Sequence, residues 1–339
     1  MKGLRFLLFP LGGLYWLITS LRNFCYKKGI LTPYLAPIPI IAVGNLSTGG
    51  TGKSPQIEYL IRLLSDKYKI STLSRGYKRK SKGFVLADES STFEELGDEP
   101  FQFFLKFENI NVAVDSNRVN GIKNLLQFEN SPEIILLDDA YQHRKVKATT
   151  YILLTAYNDL YCDDFILPVG NLREPQKGAS RAEFVIVTKC PSNLCESEKE
   201  RIKKKLKLNN NQHLFFTTIS YDSYVFSAEI KQEISYIKSQ TKVILAGIAK
   251  PEPFFDFVKN ENDVLLRYPD HHNFTDEQIE YIKQKAKGKQ IITTEKDYVR
   301  IKDNFDKNQL FYLPIKTEFL TGGELFDKLI MKTIEREIR

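Results

Sequence analysis

Roughly the first 210 residues of the chain carry short, almost continuous apolar runs separated by polar or glycine-rich segments. These runs lie at residues 40–44, 69–73, 111–114, 133–137, 151–154 and 184–188. Runs that do not alternate between apolar and polar residues are typical of parallel strands covered on both faces of a sheet. Intervening segments such as residues 56–64 place their apolar residues at helical spacing instead. The pattern predicts a doubly wound α/β domain with a parallel sheet.

A second series of predicted elements follows the polar loop at residues 209–212. Residues 220–234 alternate between apolar and polar positions, which indicates a linking antiparallel hairpin. Further strands are predicted at residues 242–246, 264–266, 290–293 and 310–313. At roughly 150 residues per domain, a chain of 339 residues accommodates two domains. We therefore expect one domain over residues 29–212 and a smaller α/β domain, which includes the hairpin, over residues 213–339.

Residues 1–28 form a separate segment because they are apolar and basic and contain no acidic residue. The uncharged run over residues 6–21 would give a helix of about 24 Å, which is shorter than the ~30 Å hydrocarbon core of a bilayer. No small-residue cleavage site precedes the basic stretch, which argues against a signal peptide. We expect this segment to lie in the membrane interface, with Tyr15 and Trp16 at headgroup depth. A buried helix and a single span are the alternatives. The basic residues are Lys2, Arg5, Arg22, Lys27 and Lys28.

The overall composition is that of a globular protein, with 42% hydrophobic and 27% charged residues. The net charge of +7 is concentrated at the N-terminus, and no stripe of basic and aromatic residues follows it, so we expect no nucleic-acid partner. The four cysteines form no CxxC pair and show no metal-ligand spacing. This pattern favours free thiols in a reducing cytoplasm.

A glycine-rich loop over residues 47–54 lies between the first predicted strand and the first predicted helix. Glycines allow backbone N–H groups to turn toward an anion, and the start of the helix adds positive potential. Lys53 would neutralise the β- and γ-phosphates of a nucleotide, and the Ser54 hydroxyl would bind Mg²⁺. Ser47 departs from the usual pattern, which has glycine at that position. The predicted nucleotide contacts are Ser47, Thr48, Gly49, Gly50, Thr51, Gly52, Lys53 and Ser54.

The apolar run at residues 134–137 ends in two carboxylates, Asp138 and Asp139. The carboxyl ends of parallel strands meet at the edge where the phosphate loop lies, and carboxylates there hold Mg²⁺ directly or through water. We therefore predict both aspartates as metal-binding residues. A guanine-reading motif, Asn/Thr-Lys-x-Asp, would need an aspartate two residues after Lys189, and Pro191 stands there instead. This favours ATP.

Eight motifs in register resemble one family, the tetraacyldisaccharide 4′-kinases of lipid A biosynthesis. They cover the chain from the phosphate loop almost to the C-terminus, and Ala140 departs from the glycine that is common in the family. The motifs are Gly49-Gly-Thr-Gly-Lys-Ser-Pro55, Ser74-Arg-Gly-Tyr77, Gly97-Asp-Glu-Pro100, Leu137-Asp-Asp-Ala-Tyr-Gln-His-Arg144, Leu172-Arg-Glu-Pro175, Ala246-Gly-Ile-Ala-Lys-Pro251, Asp270-His-His-Asn-Phe274 and Thr294-Glu-Lys-Asp297.

The resemblance implies a P-loop NTPase-like fold and an ATP- and Mg²⁺-dependent kinase that phosphorylates the 4′-hydroxyl of tetraacyldisaccharide 1-phosphate. It also implies a position at the cytoplasmic face of the inner membrane, either peripheral or anchored through the N-terminus. By similarity, Asp98 is the candidate general base and His271 its partner, with His272 as the reserve candidate. Lys53 completes the catalytic set, Arg173 is a candidate phosphate contact, and Glu174 is a candidate Mg²⁺ ligand.

Two other functional classes fit parts of the sequence. A P-loop ATPase with another substrate needs Lys53, Ser54 and Asp138 but has no use for an apolar N-terminus. A membrane-docked nucleotide switch needs both the nucleotide-binding residues and the apolar N-terminus, but it has no use for Asp98 and His271.

Overall fold

A computed structural model describes residues 5–338 of the chain, apart from the side chain of Phe6. The strands of this part are β1 (Tyr34–Leu35), β2 (Ile40–Asn45), β3 (Ile70–Ser74), β4 (Val85–Leu86), β5 (Ile110–Val114), β6 (Ile134–Asp138), β7 (Val146–Lys147), β8 (Thr150–Ala156), β9 (Phe184–Thr188), β10 (His213–Tyr221), β11 (Tyr224–Phe226), β12 (Lys231–Glu233), β13 (Val243–Ala246), β14 (Val264–Arg267), β15 (Ile291–Thr294), β16 (Leu310–Leu313) and β17 (Ile315–Thr321). The α-helices are α1 (Phe9–Lys27), α2 (Lys53–Leu64), α3 (Phe93–Leu96), α4 (Asp98–Lys106), α5 (Arg118–Leu125), α6 (Glu196–Leu206), α7 (Ile234–Ser239), α8 (Glu252–Val258), α9 (Asp276–Ala286), α10 (Glu295–Ile301) and α11 (Gly323–Ile338).

The larger sheet has the strand order β17-β10-β9-β8-β2-β6-β3-β5-β4. The strands from β10 to β5 are parallel, and the two edge strands, β17 and β4, are antiparallel to their neighbours. Every residue of β2, β3, β6 and β9 is buried, which explains why these strands appear in the sequence as unbroken apolar runs. The predicted α/β class with a parallel sheet is confirmed.

The smaller sheet has the order β12-β11-β16-β15-β13-β14. Strands β14, β13, β15 and β16 are parallel, while β11 and β12 form the antiparallel hairpin expected near residues 220–234. This sheet therefore spans residues 224–313 of the chain.

The division between the two sheets does not follow the boundary predicted at residue 212. Strand β10 pairs in parallel with β9 in the larger sheet, and β17 returns from the smaller sheet to pair with β10. Phe326 and Ile330 of α11 then pack into the hydrophobic core beneath α2. The physical reason is that β10 would otherwise leave an unpaired edge, which the returning strand covers. The chain thus crosses between the sheets twice.

Helix α1 lies on the larger domain with a polar, small-residue face. A Cβ atom at Gly12 would stand 2.8 Å from Val169 Cγ2, and the Tyr15 hydroxyl donates a hydrogen bond to the Arg173 carbonyl at 2.9 Å. Trp16 is exposed, as are Leu14, Leu17 and Leu21. The Tyr15 hydroxyl is thus bonded within the protein, and the exposed apolar face contradicts the buried-helix alternative. No helix within residues 5–338 is long and apolar enough to cross a membrane. Lys2 lies outside the described residues.

Helices α2, α4 and α10 meet around a buried group of charges. Lys106 Nζ lies 2.6 Å from Glu58 Oε2 and also forms an ion pair with Glu295. Gln102 Nε2 donates to Glu58 Oε1 at 2.9 Å. Burial, followed by the charge of Glu58, raises the pKa of Glu295 to about 7. One lysine therefore joins the helix that follows the phosphate loop to a helix between the strands of the smaller sheet.

Replacing Lys106 with methionine should destabilise the fold by about 3–5 kcal/mol, because two buried carboxylates lose their shared cation. The measurement is the free energy of unfolding in urea. Lys283→Met is the matched control, since Lys283 forms an exposed pair with Glu280 at 2.9 Å and should cost less than about 1 kcal/mol. Equal losses in the two variants would contradict this role for Lys106.

Candidate active site

The glycine-rich loop connects β2 to α2 and is held from both sides. Gly52, with φ 82°, adopts the left-handed conformation immediately before α2, and Gly49 has φ 123°. Asn45 Nδ2 donates to Thr51 Oγ1 at 2.9 Å and to the Gly49 carbonyl at 3.3 Å. The Thr188 hydroxyl donates to the Thr51 carbonyl at 2.8 Å. These contacts fix the loop at the carboxyl edge of the sheet.

The start of the loop pairs with a neighbouring segment rather than facing a ligand. Ser47 is buried and bridges Leu172, and the Thr48 N–H donates to the Asn171 carbonyl at 2.8 Å. Ser47 is not in the left-handed region, so serine replaces glycine there without backbone strain. Because the amide of Thr48 is already engaged, the predicted backbone contacts with phosphate are restricted to residues 49–54.

Lys53 and Arg173 converge on Asp139, which follows β6. Lys53 Nζ lies 3.6 Å from Asp139 Oδ1, and Arg173 Nη1 lies 3.0 Å from both carboxylate oxygens. Burial alone would raise the pKa of Asp139, but the charges of Lys53 and Arg173 outweigh it and hold that pKa below its usual range. The structure thus brings together three residues that the sequence analysis selected from three separate motifs.

Asp138 lies beside this group with part of its carboxylate unpaired. Its Oδ1 atom is buried without a hydrogen-bond partner, and its Oδ2 accepts a 3.4 Å hydrogen bond from the Ser74 hydroxyl. Burial, followed by the charge of Asp139, raises the pKa of Asp138 to about 6. An orphaned carboxylate oxygen next to the phosphate loop fits a hard cation. Over residues 5–338, no cluster of three or more His, Cys, Asp or Glu side chains is arranged to hold a metal.

Glu174 does not fit the predicted role of metal ligand. Its Oε1 accepts hydrogen bonds from Gln142 Nε2 at 3.2 Å and Arg181 Nη2 at 2.8 Å. Its Oε2 accepts from Asn23 Nδ2 at 3.0 Å and Arg181 Nη1 at 2.9 Å. A carboxylate offers about four lone-pair positions, and all of them are occupied. Glu174 instead joins helix α1 to the segment that follows β6.

Asp98 begins helix α4 and faces the loop between β14 and α9. Gly97 has φ 91°, and a Cβ atom there would lie 3.1 Å from the Tyr77 carbonyl, so glycine permits this approach. His271 Nδ1 lies 3.0 Å from Asp98 Oδ2. His272 turns away, with its Nε2 2.8 Å from Gln278 Oε1. Of the two candidate histidines, His271 is the one that the structure places against Asp98.

Three cations that were not predicted as site residues lie on this side of the site, although Lys189 and Lys296 fall within the Thr188-Lys189 segment and the motif at residues 294–297. Arg300 of α10 binds both oxygens of Asp98, and Lys296 Nζ lies 2.7 Å from Glu99 Oε1. Lys189 Nζ donates to the Gly50 carbonyl at 2.6 Å. A basic residue in the last turn of a short helix, as Arg300 is, ordinarily indicates only a favourable helix-dipole interaction, so no sequence signal distinguishes it.

Charged side chains near the phosphate loop and near α4 act on one another. The pKa of Lys189 is lowered by burial and then by the charges of Lys250, Lys296 and Lys53. The charge of Glu99 adds to the raised pKa of Asp138. Lysines from both sheets therefore lie near one another at the carboxyl edge of the larger sheet, where Lys189 contacts the phosphate loop and Lys296 contacts α4.

A second cationic group surrounds His143. Burial, followed by the charges of Arg118, Lys145, Arg75 and Arg22, lowers the pKa of His143 to about 4. Arg22 Nε, Arg118 Nε and His143 Nε2 are buried without hydrogen-bond partners. Unpaired buried nitrogen atoms beside several positive charges fit an anionic ligand.

Known proteins resemble this chain over almost its whole length. The family model for tetraacyldisaccharide-1-P 4′-kinase matches residues 4–335. The tetraacyldisaccharide 4′-kinase of Flavobacterium johnsoniae is 59% identical over 338 residues, which cover 100% of this chain and 99% of that protein. The enzyme of the same name from Bacteroides thetaiotaomicron is 41% identical, over 94% of this chain and 90% of that protein. The crystal structure of LpxK from Aquifex aeolicus in complex with ATP superposes with a TM-score of 0.79 at 30% identity, covering 98% of this chain and 99% of that one. The chain belongs to the tetraacyldisaccharide-1-P 4′-kinase family.

Proposed function

We propose that this chain transfers the γ-phosphate of ATP to the 4′-hydroxyl of tetraacyldisaccharide 1-phosphate in the cleft between the phosphate loop and Asp98. The observation that carries the mechanism is the contact between Asp98 and His271 at 3.0 Å across the two halves of the molecule. Family membership supports the substrate, and the phosphate loop supports the nucleotide. An ATPase or a switch has no need of this second half of the site.

The phosphate loop and its neighbours supply charge neutralisation and alignment. The N–H groups of residues 49–54 and the Lys53 ammonium receive the β- and γ-phosphates, and Arg173 holds Asp139 beside them. Mg²⁺, when bound, neutralises phosphate charge, and Ser54 and Asp138 are the residues that would hold it. The nearby Lys189, Lys250 and Lys296 extend the positive field to the acceptor side.

Asp98 acts on the acceptor hydroxyl. The hydroxyl oxygen forms a bond to the γ-phosphorus while the bond from that phosphorus to the bridging oxygen of ADP breaks, and the hydroxyl proton passes to the Asp98 carboxylate. Such transfers have loose transition states, so the proton leaves late and a weak base is sufficient. His271 orients the carboxylate through its Nδ1 atom.

The cationic group around His143 is a candidate binding site for the 1-phosphate of the substrate. A disaccharide 1-phosphate carries a phosphate remote from the reacting hydroxyl. Arg22 lies on α1, and Arg118, which begins α5, donates through Nη2 to the Asp138 carbonyl at the end of β6 at 3.3 Å, while the Nε atoms of both arginines are unpaired. Binding energy at such a remote group aligns the hydroxyl at the reacting centre.

The direct test is transfer of label from γ-labelled ATP to purified tetraacyldisaccharide 1-phosphate in detergent, with Mg²⁺. We expect labelled lipid from the unaltered chain. Asp98→Asn should lower kcat by about 10²- to 10⁴-fold because the acceptor loses its base, while the affinity for ATP stays unchanged. Asp256→Asn is the matched control, since Asp256 pairs with Lys259 on the exposed surface. ATP turnover without labelled lipid would instead favour an ATPase or a switch.

We further propose that the exposed face of α1 rests on the cytoplasmic face of the inner membrane and leaves the cleft open to a lipid headgroup. Leu14, Leu17 and Leu21 share that face at helical spacing and are more than half exposed. The basic residues near the helix ends favour anionic lipid.

Replacing Leu14, Leu17 and Leu21 together with serine should lower binding to anionic phospholipid vesicles at least about 10³-fold, because each of these exposed leucines would contribute about 1.5–3 kcal/mol on entering the membrane interface. Co-sedimentation with vesicles measures the change. A triple serine variant at Leu265, Tyr281 and Leu325, which are exposed on other helices and strands, should bind vesicles like the unaltered chain. Equal losses in both variants would contradict the assignment of this face.

A further inference from the structure

Helix α10 docks on helix α4 through ion pairs along its whole length. Glu295 pairs with Lys106, Lys296 with Glu99, and Arg300 with Asp98. Val299 of α10 packs between Leu96 and Phe101, in a small apolar cluster of its own. The last of these ion pairs joins the candidate base to an arginine that is only 5% exposed.

The Arg300 guanidinium contacts the carboxylate and the histidine loop together. Its Nε donates to Asp98 Oδ1 at 3.0 Å, and its Nη2 donates to Asp98 Oδ2. Its Nη1 donates to the His272 carbonyl at 3.3 Å. Nη2 also lies within hydrogen-bond distance of His271 Nδ1, at 2.8 Å, and both nitrogens contact Asp98 Oδ2.

We propose that Arg300 is a positioning residue that sets the plane of the Asp98 carboxylate and leaves one lone pair of Oδ1 for the acceptor hydroxyl. This inference rests on the proposed function. A carboxylate oxygen has two lone pairs. With the ring proton of His271 on Nδ1, Oδ2 accepts hydrogen bonds from Arg300 Nη2 and His271 Nδ1, so both of its lone pairs are taken. Oδ1 accepts from Arg300 Nε alone. The planar fork of a guanidinium fixes a carboxylate in a way that a lysine ammonium cannot.

The charges that face Asp98 explain why it stays ionised. Arg300 and Lys296 approach from α10, His271 from the loop before α9, and Glu99 from its own helix. Burial alone would raise the pKa of Asp98, but hydrogen bonds from His271 and Arg300 and the charge of Arg300 lower it to about 2. Burial and the negative charge of Glu99 both raise the pKa of Asp98, and Arg300 counteracts them. When Arg300 is lost, the pKa of Asp98 therefore rises. Below that raised pKa the base is protonated, and activity falls as the pH is lowered.

The test measures kcat, the KM for ATP and the dependence of kcat/KM on pH for Arg300→Gln and Arg300→Lys, from about pH 3.5 to about pH 9. Each profile is divided by that of the unaltered chain, so that titration of ATP and lipid cancels. Arg267→Gln is the matched control, because Arg267 pairs with Glu252 on the surface at 2.6 Å.

For Arg300→Gln we expect kcat to fall by about 10- to 100-fold, with the KM for ATP unchanged. Its divided profile should decline below about pH 5, because loss of the Arg300 charge raises the pKa of Asp98 from about 2 to about 3–5. Arg300→Lys retains the charge, so its profile should stay flat while kcat remains reduced. Arg267→Gln should match the unaltered chain.

Two outcomes would overturn the role of Arg300. One is an unchanged kcat and a flat profile in Arg300→Gln. The other is full activity in Arg300→Lys, which would show that a positive charge alone is sufficient and that the planar guanidinium does not orient the Asp98 carboxylate. Absence of labelled lipid from the unaltered chain in the same assay would be a failure of the proposed function, which is a separate result.

Discussion

The Asp98 carboxylate is the point at which the two halves of this molecule meet chemically. It stands at the start of a helix of the larger sheet, yet its partners His271 and Arg300 both come from elements of the smaller sheet. The phosphate loop, Lys53 and Asp138 all lie on the larger sheet. A reaction that needs a nucleotide on one side and an oriented base on the other therefore depends on how the two sheets are held together.

The two sheets are held together first by the path of the chain between them. Strand β10 leaves the larger sheet, β17 returns to it, and α11 closes over the core of α2. The buried charges around Lys106 then fix α10 against α2 and α4. The same helix α10 carries Arg300. The contact between α10 and α4 therefore stabilises the fold and also orients the Asp98 carboxylate. A buried ion pair is costly to break once one partner is removed, which makes this surface sensitive to single substitutions.

Most of the correct predictions came from patterns within short segments of the sequence. The unbroken apolar runs give the parallel strands, and the order of strand, Gly-Lys-Ser and helix gives the phosphate loop around Lys53. The metal role predicted for Glu174 fails because Arg181, seven residues away, and the remote Asn23 and Gln142 together occupy both of its oxygens, and no local pattern reveals that combination. The boundary at residue 212 fails because strand order is set by pairing between remote segments. Arg300 was not predicted because its partner, Asp98, is 202 residues away.

The central claim is that Asp98 and His271 act as one unit across the cleft. A double-mutant cycle tests it most directly, with kcat for lipid phosphorylation measured for Asp98→Asn, His271→Gln and the double variant. If the histidine works through the carboxylate, the double variant should be about as slow as Asp98→Asn alone. If the two losses multiply instead, the residues act independently, and the account of a shared base would be contradicted.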